Sequence, residues 1–255
     1  MSTSQPGSAR TGLVMSGSTM RDKLPGADRR SPRLASPTYA VRGPLAVWLR
    51  AEAEDAARRH GRYRVLDIGC GSMPYRPFFA PNSDTYVGVD LVGNPRADLI
   101  GSVEALPVAS SSFEVVLCTQ VLEHCEDPAT AVREIQRVVA PGGRVLASTH
   151  GVHFYHPSPH DRWRWTHEGL ERLFRENADW RSLSITPASG TSACLAMLVS
   201  VYIDLLLKRA RVRALGRPLI AALNWTAAAA DARIRGLREL RPGALIANYH
   251  IKAEP

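Results

Sequence analysis

Two patterns of hydrophobic and polar positions take turns along the chain. Five short apolar runs, each ended by glycine or polar residues, have the character of buried parallel strands. They occupy residues 65–68, 85–90, 97–100, 113–118 and 144–148. Residues 44–60 instead place apolar side chains at helical spacing, and a second such stretch starts at Asp127 and Pro128. Strands that alternate with helices predict an α/β domain built on a mostly parallel sheet.

Two regions lie outside this alternation. Residues 1–38 are rich in Ser, Thr, Gly, Pro and Arg and hold no aromatic side chain, so we expect a disordered tail before a folded domain over 39–255. Residues 193–236 contain two apolar helices that separate the strands predicted at 180–186 and 244–252. We therefore predict a helical insertion before the last strand.

The composition is that of a soluble globular protein, since 45% of the 255 residues are apolar and 22% are charged. No stretch reaches the ~18 uninterrupted apolar residues of a membrane span. The cysteines, at positions 70, 118, 125 and 194, show no C-x-x-C pairing. This usage favours a reducing, cytoplasmic setting.

The net charge of +8 raises the question of a nucleic-acid partner. Residues 1–40 hold six Lys or Arg against two Asp, so about half of the excess lies in the predicted tail. The sequence establishes no basic stripe in the folded part, so nucleic acid is not an expected partner.

The first strand leads into a turn that carries Asp67, Gly69 and Gly71. Glycine lets the backbone approach a ligand closely, and Asp90 ends the second strand, where a carboxylate can accept both hydroxyls of a ribose. These features predict a nucleoside pocket at the carboxyl edge of the sheet. Pro74 stands where a dinucleotide fingerprint needs its third glycine, and Asp67 suits a cationic amino-acid group better than a pyrophosphate.

The segment VLDIGCGSMPY at 65–75, followed by YVGVDL at 86–91, resembles the class I S-adenosylmethionine-dependent methyltransferases, in the broad group that methylates small molecules. The stretch at 101–124, with its LEH sequence, and the PGG turn at 141–143 are similar to the same family. The resemblance implies a Rossmann-like, doubly wound sheet of seven strands with the last strand antiparallel. It also implies S-adenosyl-L-methionine as the cofactor.

The resemblance further implies the cofactor contacts. Asp67 would favour the amino group of the cofactor, and Gly69 and Gly71 would admit it. Asp90 would hold its ribose. Other contacts are expected at Cys70, Leu91, Ser102, Val103, Glu104, Thr119 and Gln120. Ser102 stands where many relatives carry Asp, so a hydroxyl or a water would replace the usual carboxylate beside the adenine.

Residues 150–166, HGVHFYHPSPHDRWRWT, form the most distinctive stretch, since five of the eight histidines lie between positions 150 and 167. Two prolines break any helical spacing of ligands and no cysteine is present, so a metal site is not expected. The loop follows the fifth strand, where open α/β sheets bind ligands, and is predicted to cover the acceptor. The predicted acceptor contacts are Tyr155, His156, Trp163, Arg164 and Trp165.

Three histidines of this region, His150, His153 and His160, are candidates for a base that takes a proton from the acceptor. His124 is interpreted as structural, because LEH followed by a short acidic turn recurs in relatives of differing substrate. For residues 161–166 a structural role is the alternative, with Asp161 paired to one of the neighbouring arginines.

The apolar stretch 194–207 is followed by a basic cluster at 208–213. This combination suits a helix on an anionic membrane surface, so peripheral membrane contact through 193–217 is one prediction. A lid over the site or the interface of a homodimer would explain the same apolar helices, and these alternatives stay open.

We therefore expect a methyltransferase that acts on a small-molecule, glycan or lipid-linked acceptor, in the cytoplasm or at a membrane. Two alternatives remain. An NAD(P)-dependent oxidoreductase is disfavoured by Pro74. A catalytically silent cofactor-binding or membrane-surface module stays open because Ser102 and Glu114 both depart from the family pattern.

Overall fold

The computed structural model describes residues 25–157 and 159–255. In this part of the chain, seven strands form one sheet in the order β3-β2-β1-β4-β5-β7-β6. The strands are β1 (Tyr63–Ile68), β2 (Ser83–Asp90), β3 (Leu99–Ile100), β4 (Phe113–Thr119), β5 (Val139–His150), β6 (Ser182–Pro187) and β7 (Asn248–Glu254). Strand β7 is antiparallel to both β5 and β6, and the other pairs are parallel. The predicted fold is confirmed.

Helices cover both faces of the sheet. They are α1 (Ala27–Arg30), α2 (Tyr39–His60), α3 (Arg76–Phe79), α4 (Pro128–Val138), α5 (His167–Asn177), α6 (Thr191–Arg209) and α7 (Arg217–Arg233). Two of them begin at the side-chain caps that the sequence indicates. The Asp127 carboxylate accepts hydrogen bonds from the first amides of α4, and the Thr166 hydroxyl accepts one from the Gly169 amide.

The core has two layers because successive side chains of a strand point to opposite faces. From β1, Leu66 and Ile68 pack in the layer under α4 and α5, while Val65 packs in the layer under α2. Helix α2 is also held by ion pairs. The fully buried Arg144 guanidinium of β5 lies 2.9 Å from a Glu52 carboxylate oxygen on α2. These contacts hold α2 against one face of the sheet.

Part of the predicted tail is folded. Residues 1–24 lie outside the described residues, but residues 25–38 pack on the domain. Arg30 is buried and its Nη1 donates to the Pro25 and Pro74 carbonyls, at 2.6 and 2.9 Å. Asn224 of α7 donates to the Leu34 and Ser36 carbonyls. The tail boundary at 38 was therefore wrong, because partners distant in sequence satisfy a segment whose own composition is that of a loop.

Smaller differences concern the ends of elements. Strand β5 begins at Val139, so the PGG turn at 141–143 lies inside this strand and not before it. Strand β7 spans Asn248–Glu254, which is later than the prediction of 244–252. Element ends are set by the ladder of the neighbouring strand, which local sequence does not record.

Candidate functional site

A cavity of about 580 Å³ opens at the carboxyl ends of β1, β2, β4 and β5. The turns that follow these strands form most of its wall, as expected for an open α/β sheet. Residues of α1 and α2 complete the wall from the other side of the opening. The lining residues include Gly69, Gly71, Asp90, Leu91, Ser102, Val103, Glu104, Thr119, Gln120, His150, His153, His156 and His160, which are all sites indicated by the sequence.

The glycine turn after β1 requires glycine for two reasons. Gly69 has φ +62°, and a Cβ at this position would lie 2.4 Å from Val121 Cγ2 on the cavity wall. Gly71 has φ +51°, and its amide donates to Asp90 Oδ2 at 2.9 Å. The turn is therefore tied to the end of β2, and its backbone forms the floor of this part of the cavity.

Asp90 is held in one position by three donors. Its Oδ2 accepts from the Gly71 amide and from Asn94 Nδ2, and its Oδ1 accepts from the Leu91 amide at 2.8 Å. A carboxylate held in this way at the end of a strand has the placement needed to accept from ligand hydroxyls.

Two residues of the predicted cofactor set do not line the cavity. Asp67 is buried beneath the glycine turn, where its Oδ2 accepts from the Tyr86 hydroxyl at 2.7 Å, and burial raises its pKa to about 7. Cys70 points into the core beside Gly88, and burial raises the pKa of its thiol to about 12. The structure gives both side chains a role in supporting the turn.

The segment 101–104 is joined to the loop after β4. Ser102 Oγ donates to Glu104 Oε2 at 2.7 Å, and Glu104 Oε1 accepts from the Glu126 and Asp127 amides. Burial raises the pKa of Glu104, but these hydrogen bonds together hold it below its ordinary value. Ionised Glu104 thus connects two turns that line the cavity.

Gln120 forms the floor below the middle of the cavity. Its backbone has φ +59°, and its Nε2 donates to Ser148 Oγ and Asn248 Oδ1, each at 2.9 Å. Both partners lie on neighbouring strands, β5 and β7. A non-glycine residue in this left-handed conformation, held by its side chain, indicates a functional constraint on the loop.

A buried pair of ionisable side chains lies next to this floor. Glu123 is fully buried and His150, at the end of β5, is nearly so. Glu123 Oε1 and His150 Nδ1 are 3.2 Å apart without a well-formed hydrogen bond, and Thr149 Oγ1 donates to Glu123 Oε2 at 2.8 Å. Burial raises the pKa of Glu123 to about 7 and lowers that of His150. Burial thus favours the uncharged form of both groups.

Two further histidines are arranged around this pair. The His153 ring stacks on the His150 ring with centroids 3.7 Å apart, and burial lowers the pKa of His153 to about 4. His124 Nδ1 contacts the His160 carbonyl, which ties the loop after β4 to the loop after β5. His124 therefore has the structural contact expected for it, although it also lines the cavity.

The loop after β5 is held by its own charged and aromatic side chains. Asp161 Oδ2 accepts from the His156 amide and from Arg164 Nη2, both at 2.8 Å, and Arg164 holds the pKa of Asp161 at about 2. Trp163 Nε1 donates to the Cys125 carbonyl at 2.9 Å, and its ring stacks on Trp165. These contacts match the structural alternative for residues 161–166.

The predicted acceptor set is accordingly divided. His156 lines the cavity, but Trp163, Arg164 and Trp165 support the loop from behind and are not among the lining residues. Tyr155 is 76% exposed and also lies outside the cavity. Among the Phe, Tyr and Trp side chains of this stretch, only Phe154 lines the cavity.

Sequence reasoning missed several lining residues, namely Arg29, Thr38, Arg42, Tyr75, Glu123, Phe154 and Arg162. Arg29 and Thr38 fell inside the predicted tail. Glu123 adjoins His124 in the chain, and nothing in the sequence around it indicates that its carboxylate is buried. Among the described residues, no three His, Cys, Asp or Glu side chains are arranged so that they could hold a metal ion.

Residues 66–147 match a protein family described as methyltransferase domain. The chain is 38% identical over 102 residues to the ubiquinone biosynthesis O-methyltransferase of Paracidovorax citrulli (strain AAC00-1), which covers 34% of this chain and 43% of that protein. It is 35% identical over 103 residues to the malonyl-[acyl-carrier protein] O-methyltransferase of Erwinia pyrifoliae. That match covers 36% of this chain and 39% of that protein. The matched region thus spans less than half the length of either relative.

Among solved structures, the chain is similar to a protein of Galdieria sulphuraria named provisionally as a sarcosine dimethylglycine methyltransferase. The TM-score is 0.52 at 14% identity, and the match covers 82% of this chain and 84% of that one. At this identity the similarity concerns the fold alone.

Proposed function

We propose that this chain, which carries a class I S-adenosylmethionine-dependent methyltransferase domain, transfers a methyl group to a hydroxyl of a small-molecule acceptor held in the cavity. One observation carries the proposal. A single cavity joins the glycine turn and Asp90 on one side to the buried Glu123 and His150 pair on the other. A cofactor-binding surface and a proton-accepting group therefore face the same space.

The residues on the β1 and β2 side fit S-adenosylmethionine. No atom lies within 4 Å of the position that a Cβ of Gly71 would occupy on the cavity wall, so this glycine leaves that space open for a ligand. Gly69 and Gly71 would lie against the cofactor, and Asp90 would accept from its ribose hydroxyls. When bound, the cofactor supplies a methyl group that its positive sulfur already activates. The protein then needs chiefly to align the acceptor and remove its proton.

His150 is the residue we propose for proton removal. Its Nδ1 faces Glu123, so Nε2 is the ring nitrogen left for a ligand in the cavity. Ionised Glu123 would hold Nδ1–H and stabilise the imidazolium that forms when Nε2 takes the proton of the acceptor hydroxyl. As the acceptor oxygen bonds to the methyl carbon, the bond from that carbon to sulfur would break and leave its electron pair on sulfur, and the proton of the acceptor hydroxyl would end on His150 Nε2. His153 and His160 remain on the wall as acceptor contacts in this proposal.

An oxygen acceptor is favoured because both relatives are named O-methyltransferases. Lining residues on the acceptor side combine Phe154 with several imidazoles, which suits a ring or chain that carries a hydroxyl. We propose a small molecule of this kind, free or attached to a lipid, and a cytoplasmic site of action. Four free cysteines, all buried, are compatible with a reducing compartment.

Calorimetric titration with S-adenosylmethionine, its demethylated product and NADH tests the cofactor assignment. Asp90→Ala removes the two charge-assisted hydrogen bonds expected to the ribose hydroxyls. It should weaken binding of S-adenosylmethionine and of its demethylated product roughly 100-fold. Asp84→Ala is the matched control, since Asp84 is an exposed carboxylate paired to Arg62. Binding of NADH alone would overturn the methyltransferase proposal, and binding of none of the three would favour a catalytically silent module.

A further inference from the structure

Helix α6 presents an apolar stripe to solvent. Leu195, Val199, Tyr202 and Leu206 recur at helical spacing and therefore share one face. Their exposed fractions are 49, 50, 64 and 63%. An exposed apolar stripe about three turns long is unusual for a monomeric soluble protein and marks an interaction surface.

The orientation of α6 is fixed by its opposite face. Ala193, Cys194 and Met197 are buried there against Ala40 and Val41 of α2. The outward stripe is therefore not a core face left uncovered by a rotated helix. By length and hydropathy α6 is the one helix among the described residues able to span a membrane, with a mean hydropathy of 1.6. Its packing on α2 instead keeps it along the surface of the domain.

Exposed apolar side chains also occur beyond α6. Leu215 at the turn between α6 and α7 is 74% exposed, and Leu219 and Trp225 of α7 are also exposed. The two helices pack on each other. We call α6, α7 and their connection, residues 191–233, the helical hairpin. Exposed tryptophan and aliphatic side chains are typical of helices that lie at the membrane interface.

Positive charge is concentrated at the tip of the helical hairpin. Lys208, Arg209, Arg211 and Arg217 are exposed, and no ion pair forms at any of them within the described residues. Arg213 is different, because it is paired with Asp204. Residues 205–230 contain no Asp or Glu. A second copy of the chain would bring its own positive tip to the same surface, whereas anionic lipid headgroups complement it.

We propose that the helical hairpin docks in the plane of an anionic membrane surface, with the apolar stripe in the interface and the basic tip on lipid headgroups. This docking does not depend on methyl transfer. One consequence does rest on the proposed function. Val41 packs on α6 and also lines the cavity, so docking would bring the cavity close to the membrane and admit an acceptor that carries a lipid tail.

Cosedimentation of the full chain with vesicles tests the proposal. The vesicles are phosphatidylcholine alone, or phosphatidylcholine mixed with phosphatidylglycerol. We expect binding to the mixed vesicles that weakens with salt. Lys208→Ala with Arg211→Ala should reduce it about 25-fold, since each basic residue near such a surface contributes about 1 kcal/mol. Arg172→Ala with Arg175→Ala removes the same charge from α5 and should change binding less than about twofold.

The apolar stripe is tested separately with Val199→Glu and Leu206→Glu. Both side chains are exposed, so the domain should fold and keep its affinity for S-adenosylmethionine while vesicle binding is lost. Retained cofactor binding separates failure of docking from failure of the proposed function. Absence of vesicle binding in the unchanged protein would overturn the proposal. So would a concentration-dependent dimer that Val199→Glu dissociates, because a second copy would then cover the stripe.

Discussion

Turns that directly follow two adjacent strands form the cavity wall beside β1 and β2, whereas two loops that fold against each other form the wall beside β5. On the first side, Gly71 and Asp90 are joined across two adjacent strands by one amide-to-carboxylate hydrogen bond. On the second side, the Glu123 carbonyl accepts from the Arg162 and Trp163 amides. The first wall needs only the sheet to form, while the second also needs a loop to fold against another loop.

This difference suits the two tasks that we propose for the cavity. A cofactor shared by a whole family can be bound by main-chain groups whose positions the sheet determines. An acceptor that differs between relatives needs a wall that can change without disturbing the sheet. The ion pair of Asp161 and Arg164 supports such a wall, since it shapes the loop from within. The predictions below test whether the two walls are separable.

The largest effect is expected from Gly69→Ala. The new Cβ would be strained by the left-handed backbone and would meet Val121 Cγ2 at 2.4 Å, so the turn must move. Strain and overpacking together should lower the free energy of unfolding by about 3 kcal/mol. Displacement of the turn should also weaken S-adenosylmethionine binding about 100-fold, a loss of about 2.7 kcal/mol. Denaturant unfolding and calorimetry measure the two effects.

Gly61→Ala is the matched control for this change. Gly61 has φ +68°, but no atom lies within 4 Å of the position of its Cβ. The control should therefore lose only about 1–2 kcal/mol of stability and keep cofactor affinity. Equal behaviour of the two variants would show that the contact with Val121 does not shape the cofactor side.

A smaller effect, confined to the acceptor side, is expected from Glu123→Gln. The amide keeps the size of the side chain and can still accept from Thr149, but it cannot stabilise a charged His150. We expect kcat to fall about 30-fold, a fraction of the roughly 100- to 10,000-fold that a general base contributes. The affinity for S-adenosylmethionine should stay within about twofold. Glu126→Gln is the control, because it removes an exposed carboxylate near the cavity opening.

The pH dependence separates a positioning role of Glu123 from a merely structural one. In the unchanged protein kcat should rise with pH as Glu123 ionises near its pKa of about 7, and Glu123→Gln should lack this rise. Stability should respond in the opposite sense. Because the folded state binds this proton more tightly than the unfolded chain, ionisation lowers stability as pH rises from about 4.5 to about 7. The Gln variant should lose that decline. An unchanged rate profile would contradict the proposed pair.

This difference between the two walls explains how much of the site could be predicted from the sequence. The glycine turn and Asp90 were predictable because strand, turn and strand are each recorded within a few residues. Glu104 was named as a contact, but its bonds to the amides of Glu126 and Asp127 were not foreseeable from its neighbours. The sequence predicted that the Trp163 indole contacts the acceptor, whereas its Nε1 donates to the Cys125 carbonyl on another loop. Composition gives the types of side chain in a loop and not the direction in which they point.

The smallest effect is expected at Tyr155, which the sequence indicated as an acceptor contact. Its ring is 76% exposed outside the cavity, so Tyr155→Ala should change the KM for an acceptor less than about twofold. The adjacent Phe154 provides the comparison, since its ring lies on the cavity wall 4.0 Å from the His153 ring by centroid distance. Phe154→Ala should raise that KM about tenfold, because a buried aromatic contact contributes roughly 1.5–3 kcal/mol. Steady-state kinetics at saturating cofactor measures both variants. A larger effect at Tyr155 than at Phe154 would mean that the acceptor contacts the outer surface of the loop. The cavity wall beside β5 would then not be the acceptor site.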